Sequence, residues 1–371
     1  MGRNTIKALA FFLLVFSFAW IASGVLRTIS SEAPDFRILW TFAGHLKQGQ
    51  NLYLSPDISI PNPYPPFTFL FYLPLTFLPY AGAQAVFVFL IFASMVATVL
   101  LSFRLTVARI PFFGFVFALS LVFLSFPAKF SLGMGQQNPI AYFLLLASYY
   151  SWKKKSPLFS GILLTLAVSL KPVLGFVAIF FLIQKSWRTF FWALITVSVE
   201  TAVVFGITRL NLLADWSRQT LSYLTLEGRG IYYNQGFAGF VSRLTQKMPL
   251  IKKAVVLFSL SILAAVFKAA GKKKDPNLVF SLLTISVLLI DTLSWQHHFV
   301  WLIFPFIVLA NEAVKSKKTV LSGLLVAAYL LVGWNFKNPG AFPLILLSNQ
   351  FYGAIILWGL NYYFLTRKVT S

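Results

Sequence analysis

The sequence predicts an all-α, polytopic integral membrane protein. Hydrophobic residues occupy 58% of the 371 positions and charged residues only 11%, whereas soluble domains carry about 25% charged residues. The mean hydropathy is +0.79. Apolar stretches recur along the chain without the alternation typical of membrane β-strands, so each is predicted to be a helix, because backbone polar groups in lipid must bond within their own segment.

These apolar stretches predict a bundle of about 11–13 transmembrane helices within a single membrane-embedded domain, residues 1–371. The first follows Arg3 and Lys7 and resembles a secretory signal, but it is long enough to span a bilayer, and we expect an uncleaved helix. The stretches lie near residues 6–26, 65–80, 82–103, 110–128, 138–152, 157–170, 172–185, 188–208, 254–270, 276–293, 298–314, 319–336 and 350–366.

The basic residues predict the orientation. Lys and Arg number 31 against 9 Asp and Glu, and they gather in short clusters between apolar runs, which is typical of cytoplasmic loops and argues against nucleic-acid binding. Placing every cluster in the cytoplasm puts both termini there. The clusters are Arg3/Lys7, Arg104/Arg109, 153–155, Lys185/Arg188, 272–274, Lys315/Lys317/Lys318 and Arg367/Lys368.

This orientation requires residues 65–103 to cross the membrane once in net terms, so 65–80 is predicted to be a re-entrant or half-depth element. The alternative makes 65–80 a full span and 157–185 one helix kinked at Pro172, which exports the cluster 153–155. In the favoured arrangement four polar segments share the extracytoplasmic face, at about 27–64, 129–138, 209–250 and 291–298.

The first of these loops contains a short amphipathic helix that we expect to lie at the membrane surface. Ser30 or Ser31 can cap it and Pro34 suits its first position. An apolar stripe follows at helical spacing: Phe36, Leu39, Trp40, Ala43 and Leu46. Asp35 has two interpretations. It is an acid stabilised by the positive end of the helix dipole, or a carboxylate whose reduced hydration raises its pKa towards the range of a general base.

Polar residues elsewhere are candidates for binding. "GMGQQNP" offers Gln136 and Asn138 to sugar hydroxyls, although Asn138 can also be a simple helix cap. Lys171 lies in an apolar run, where it either binds a phosphate or extends its ammonium to water. Glu200 is either an ion relay or an interhelical partner. His297 and His298 in "SWQHH" favour phosphate contact over zinc, since adjacent helical residues diverge by about 100°.

The composition also limits the chemistry. The chain has no Cys and three His, so disulfides and thiolate nucleophiles are excluded and little remains for a metal site. We therefore expect no metal ligands and no resident cofactor.

Several motifs, taken in their order along the chain, resemble glycosyltransferase family 87. They are Asp35 with "LYLS" and "NPYPPF", then "GQQN", "LKP", "YYNQGFAGFVSRL" and "SWQHHFVWL". This family comprises polyprenyl-phosphate-mannose-dependent mannosyltransferases. The resemblance implies a GT-C-like membrane bundle with its active site on the extracytoplasmic side. It also implies inverting transfer from a polyprenyl-phosphate sugar to a lipid or glycan acceptor, in the plasma or inner membrane.

The resemblance also implies roles for individual residues. Asp35 takes the general base's position, and His297 or His298, Lys171 and Arg37 are candidates for the donor phosphate. Further substrate-binding candidates are Tyr64, Gln136, Asn138, Asn234 and Gln235. A transporter or flippase of lipid-linked glycans is the alternative function, motivated by Glu200, Lys171 and the number of helices.

Overall fold

The computed structural model describes residues 3–54, 63–223, 228–271 and 274–367. Residues 55–62 and 224–227 of the first and third predicted polar loops lie outside the described residues. The same holds for Lys272, Lys273 and Lys368 of the predicted basic clusters.

The described residues are helical and contain no β-strand; Asn234 and Trp295 form an isolated antiparallel bridge. The α-helices are α1 (Arg3–Ser30), α2 (Pro34–Lys47), α3 (Thr68–Tyr72), α4 (Tyr80–Thr106), α5 (Phe112–Leu124), α6 (Phe126–Met134), α7 (Asn138–Lys153), α8 (Pro157–Leu170), α9 (Ile179–Ile183), α10 (Trp187–Thr208), α11 (Leu212–Tyr223), α12 (Phe237–Leu244), α13 (Met248–Ala269), α14 (Pro276–Ile290), α15 (Ile303–Ser316), α16 (Thr319–Gly333) and α17 (Asn349–Thr366). The 3₁₀-helices are η1 (Leu73–Phe77), η2 (Pro172–Ala178), η3 (Gln296–Leu302), η4 (Pro339–Ala341) and η5 (Leu344–Ser348).

The prediction of an all-α polytopic membrane protein is confirmed. Among the described residues, 6 helices are long and apolar enough to cross a membrane, or up to 7 if α5 and α6, bent by 60° to each other, form one span. The described residues also contain shorter apolar helices of 10–17 residues, and the count of about 11–13 spans stays a prediction. Three of them belong to the segments whose crossing the sequence left open: Thr68–Phe77, Pro157–Leu170 and Pro172–Ile183.

Helix α14 forms the centre of the bundle. Every side chain from Leu278 to Leu289 is buried, because α13, α15, α17, η2 and η3 pack around it. Asp275 caps its first turn by accepting hydrogen bonds from the backbone N–H groups of Asn277 and Leu278. The helix ends at Ile290 and leads directly to Asp291 and η3, so its rigid packing determines where these residues lie.

The amphipathic helix predicted in the first loop is α2. Pro34 occupies its first turn as predicted, and its buried face consists of Phe36, Leu39, Phe42, Ala43 and Leu46. The predicted serine cap is wrong. Ala33 precedes the helix without a side-chain cap, and the Ser31 hydroxyl instead donates to the Arg27 carbonyl of α1 at 2.6 Å. The backbone N–H of Ala33 is satisfied by Gln84 Oε1 of α4 at 3.0 Å.

Candidate active site

Asp35 lies in the first turn of α2, where its carboxylate meets the turn between α6 and α7. Gly135 makes that turn in the left-handed conformation, with φ of 67°, which glycine adopts without steric cost. The turn directs the Gln136 amide to Asp35, and Nε2 of Gln136 donates a hydrogen bond to Oδ2 of Asp35. Burial raises the pKa of Asp35, while the bond from Gln136 and the charge of Lys171 lower it. The carboxylate is therefore a base that burial makes stronger.

Asn138 lies behind this pair. Its Nδ2 donates to Oε1 of Gln136 at 3.1 Å, and its backbone carbonyl accepts a hydrogen bond from the Trp301 indole at 3.2 Å. Because Oε1 of Gln136 is occupied by a donor, the Nε2 group of the same amide faces Asp35. Asn138 thus orients Gln136.

Lys171 lies at the break between α8 and η2. Its backbone is extended, with φ of −142° and ψ of 91°, as expected for a residue that precedes proline. The side chain is 8% exposed, and Nζ lies 3.4 Å from the hydroxyl of Tyr64. The break therefore places an ammonium group inside the bundle, next to a phenol from the first loop.

Glu200 of α10 has a different environment from Lys171. Its Oε2 accepts a hydrogen bond of 2.7 Å from the hydroxyl of Ser169 in α8. Ser169 is thus an interhelical partner, as one of the two interpretations of Glu200 predicts. Glu200 does not line the cavity described next.

Both histidines lie in η3 and are buried. The His297 ring packs between Phe130 and Trp295, with centroid distances of 5.5 and 6.1 Å. The His298 ring stacks on Trp301 at 4.8 Å, since residues three apart in a 3₁₀-helix lie above one another. Among the described residues, neither ring nitrogen of His298 has a hydrogen-bond partner.

These side chains meet in one cavity of about 500 Å³. Of the predicted site residues, it is lined by Asp35, Tyr64, Gln136, Lys171, His297 and His298. The remaining lining residues are Ile38, Leu39, Phe42, Pro63, Phe130, Met134, Pro172, Val173, Arg229, Asp291, Thr292, Leu293 and Trp295. Segments far apart in the sequence thus form a mixed polar and aromatic cavity of the size of a small-molecule site.

Four predicted residues do not line this cavity: Arg37, Asn138, Asn234 and Gln235. Arg37 is half exposed and forms an ion pair with Glu32, and its guanidinium lies 5.3 Å from the centre of the Tyr80 ring. The Arg37 side chain therefore lies against the start of α4 and does not line the cavity.

Asn234 and Gln235 are fully buried and hold the third loop in place. The Asn234 amide donates to the carbonyls of Arg229 and Thr292, both at 3.0 Å. The Gln235 amide donates to the carbonyls of Tyr232 and Leu347, at 2.8 and 2.7 Å. Asn234 thus connects two segments that line the cavity, although it does not line it itself.

Sequence reasoning did not select two charged cavity residues, Asp291 and Arg229. Both lie in polar segments that the sequence predicted, Asp291 in 291–298 and Arg229 in 209–250. The signal was their position near selected residues. Burial raises the pKa of Asp291, whereas the Leu293 N–H, Lys171 and Arg229 lower it. The cavity is thus lined by a second carboxylate in addition to the predicted base. No group of three His, Asp or Glu among the described residues could hold a metal ion.

Comparison with known proteins identifies the family. The family model described as glycosyltransferase family 87 matches residues 62–294, well over half of the 371 positions. The chain belongs to glycosyltransferase family 87. The resemblance inferred from the motifs is therefore confirmed. The family 87 match includes Tyr64, Gln136, Lys171 and Asp291. The two histidines lie just after its end, and Asp35 lies well before its start.

Curated relatives are similar to this family 87 chain at low identity. A polyprenol-phosphate-mannose-dependent alpha-(1-2)-phosphatidylinositol mannoside mannosyltransferase of Mycobacterium tuberculosis is 23% identical over 211 residues, or 56% of this chain and 49% of that protein. A polyprenol-phosphate-mannose-dependent alpha-(1-2)-phosphatidylinositol pentamannoside mannosyltransferase of Mycolicibacterium smegmatis is 24% identical over 301 residues, or 77% and 71% of the two chains. The chain thus spans about half the length of the first of these relatives. No solved structure matches the chain significantly.

Proposed function

We propose that this family 87 chain transfers a mannose-like hexose from a polyprenyl-phosphate donor to a hydroxyl of a lipid or glycan acceptor, with inversion at the anomeric carbon. The observation that carries the proposal is the cavity in which a partly buried carboxylate, Asp35, shares its walls with two cations, Lys171 and Arg229. A base and a phosphate-binding charge are the two groups that this reaction needs. The relatives named above depend on polyprenol-phosphate-mannose.

Asp35 is the general base in this mechanism. Its carboxylate removes the proton of the acceptor hydroxyl while that oxygen forms a bond to C1 of the sugar. The bond between C1 and the phosphate oxygen breaks, and its electron pair stays on the phosphate. A single displacement inverts C1. Burial favours this role because it raises the pKa of Asp35, and a base works best when its pKa approaches the working pH.

Lys171 and Arg229 stabilise the departing polyprenyl phosphate. The phosphate gains a negative charge as the C1–O bond breaks, and fixed positive charges in a cavity with little water stabilise such a charge strongly. Arg229 is 9% exposed, and its backbone carbonyl is held by Asn234 at 3.0 Å. Lys171 is held at the break before η2, so neither cation depends on a free loop for its position.

The basic clusters support an extracytoplasmic site. Helix α7 begins beside Gln136 and ends at Lys153, and α14 begins after the cluster 272–274 and ends beside Asp291. Helices α7 and α14 therefore each have the cavity at one end and basic residues at the other. With the clusters in the cytoplasm, the site faces the outside of the plasma or inner membrane, and both termini are cytoplasmic.

Replacing Asp35 tests the proposal. In purified Asp35→Asn protein, sugar transfer from a radiolabelled polyprenyl-phosphate-mannose to membrane glycolipids is expected to fall about 10²- to 10⁴-fold, the usual contribution of a general base. Glu32→Gln is the matched control, because Glu32 is an exposed acid three positions earlier. Donor binding should persist in both variants. Full transfer by Asp35→Asn contradicts the assignment, and loss of lipid movement across proteoliposomes with intact transfer favours the transporter.

A further inference from the structure

The charges of the described cavity residues balance before any substrate enters. Two carboxylates, Asp35 and Asp291, and two cations, Lys171 and Arg229, line the cavity. Under the proposed function, on which this inference rests, the donor adds a phosphodiester with one negative charge. An uncompensated charge is costly in a cavity that excludes water. Uptake of one proton from solvent restores the balance.

The Asp291–His298 pair is suited to hold this proton. Nδ1 of His298 lies 4.0 Å from Oδ2 of Asp291, just beyond hydrogen-bond distance. Within the described chain, both ring nitrogens of His298 are buried without a partner. The other carboxylate oxygen of Asp291 accepts from the Leu293 N–H at 3.3 Å, so Oδ2 faces the imidazole. A small approach of the two side chains forms a charge-assisted hydrogen bond.

The other charged residues near η3 have different partners or lie at a distance along their helices. Lys129 of α6, which packs against η3, places its ammonium 3.5 Å from the centre of the Trp20 ring. The remaining helices packed against η3 are α7, α14 and α15, and their charged residues lie toward the ends remote from η3: Lys153, Asp275, Glu312 and Lys315. The titratable groups that share the cavity with the pair are Asp35, Tyr64, Lys171, Arg229 and His297.

We propose that binding of the polyprenyl-phosphate sugar takes up one proton from solvent, and that Asp291 and His298 hold this proton between Oδ2 and Nδ1. The pair titrates as a unit. Asp35, whose carboxylate accepts a hydrogen bond from Gln136, is not part of this pair and serves as the base. The stored proton lies in the same cavity when the phosphate gains its second negative charge, and it offsets that charge together with Lys171 and Arg229.

Linkage gives the sign of the pH dependence. The donor complex binds the proton more tightly than the free protein does, so donor affinity is highest at low pH. Affinity falls as the pH rises through the range in which the free protein lacks the proton and the complex holds it. Over that range the donor Kd rises about tenfold per pH unit.

Calorimetry on the full chain in lipid nanodiscs tests the proposal. The probe is a short-chain polyprenyl-phosphate-mannose, titrated without acceptor so that no turnover occurs. Its phosphodiester keeps one charge across about pH 6–9, so any proton exchanged belongs to the protein. Titrations in two buffers of different ionisation enthalpy give the number of protons bound. The expected value approaches one proton per donor, and a value of zero with intact donor binding overturns the proposal.

Two substitutions give opposite expected results. Asp291→Asn removes one negative charge but keeps an oxygen for the Leu293 N–H, so it should abolish proton uptake and bind the donor as tightly as the parent, or more tightly, at the alkaline end. His298→Gln leaves Asp291 charged and should weaken donor binding about tenfold or more at the acidic end, where the parent complex holds the proton. Damage to the fold weakens binding in both.

Glu200→Gln is the control, because Glu200 is a buried acid that does not line the cavity, and this variant should still take up the proton. Uptake that survives Asp291→Asn overturns the assignment to the pair. Absence of donor binding by the parent protein at every pH contradicts the proposed function instead, so the two failures are distinguishable.

Discussion

The side-chain amide of Gln136 donates a hydrogen bond to Oδ2 of Asp35 across 101 positions of sequence. Asn138 fixes the orientation of that amide by donating to its Oε1 at 3.1 Å. The contact favours the ionised carboxylate, while burial raises its pKa. Gln136 therefore affects the pH range in which Asp35 is ionised and, under the proposed function, can act as a base.

Gln136→Met should shift the pH profile of transfer. Removing the donor raises the pKa of Asp35 further, because only burial and the charge of Lys171 then act on it. The reactive form is the carboxylate, so activity is present above the pKa and is lost as the pH falls through it. The acidic limb of kcat/KM should therefore move to higher pH. Gln48→Met, at the exposed end of α2, is the control, and superimposed profiles contradict the prediction.

Lys171→Met should reduce kcat/KM for transfer by about 10²- to 10³-fold, as does the loss of one group that stabilises a developing negative charge. The variant lacks the ammonium group that lies 3.4 Å from the Tyr64 hydroxyl, so the departing phosphate loses one stabilising positive charge. Transfer rates at several donor concentrations measure the effect. Lys154→Met removes an exposed lysine between α7 and α8, at the opposite end of α8 from Lys171. It should leave the rates unchanged. Equal rates for both variants would show that Lys171 has no role.

Gly135→Ala should destabilise the contact between α2 and the turn after α6. A Cβ at this position would lie 2.6 Å from Cβ of Phe36 and 2.9 Å from Cβ of Ala33, and φ is +67°. We expect the free energy of unfolding to fall by about 2–4 kcal/mol, visible as a lower melting temperature in detergent. Gly133→Ala is the matched control, because no atom lies within 4 Å of its added Cβ, and it should be neutral or slightly stabilising.

Gln235→Leu separates a structural role from the substrate contact that the sequence suggested. The substitution leaves the Tyr232 and Leu347 carbonyls and the Gln350 N–H without their partner. Unpaired buried groups cost about 1–3 kcal/mol each, so thermal stability should fall while the KM of the folded fraction stays the same. Gln246→Leu, exposed in the same region, is the control. Unchanged stability with a raised KM supports substrate contact instead.

The sequence predicted the fold class and the helix α2, and six of its ten candidate site residues line the cavity. Asp35, Lys171 and the histidines were selected because a polar residue in an apolar or interfacial segment is costly, and that cost is visible from the sequence. All four line the cavity, and their roles stay predictions. Pro34 predicted the start of α2, because the missing N–H and fixed φ of proline suit the first helical turn. No serine cap formed, because Ser31 bonds to the Arg27 carbonyl of the preceding helix.

The remaining assignments depend on contacts between distant segments. Asn234 and Gln235 have the side chains of sugar-binding residues, but their amides are used by backbone carbonyls. Asp291 was not selected because its position follows from how the neighbouring helices pack around α14. Local sequence patterns carry no information about which of several polar side chains turns toward a shared cavity.

The hydrogen bond from Gln136 also bears on the linkage formed in the product. Oδ2 of Asp35 is held by Gln136, which limits the directions from which an incoming hydroxyl can reach the carboxylate. A polyol acceptor carries several hydroxyls of similar reactivity. Only one that reaches the carboxylate while its oxygen is in line with C1 can react. Regioselectivity would then be determined by an amide that never touches the acceptor.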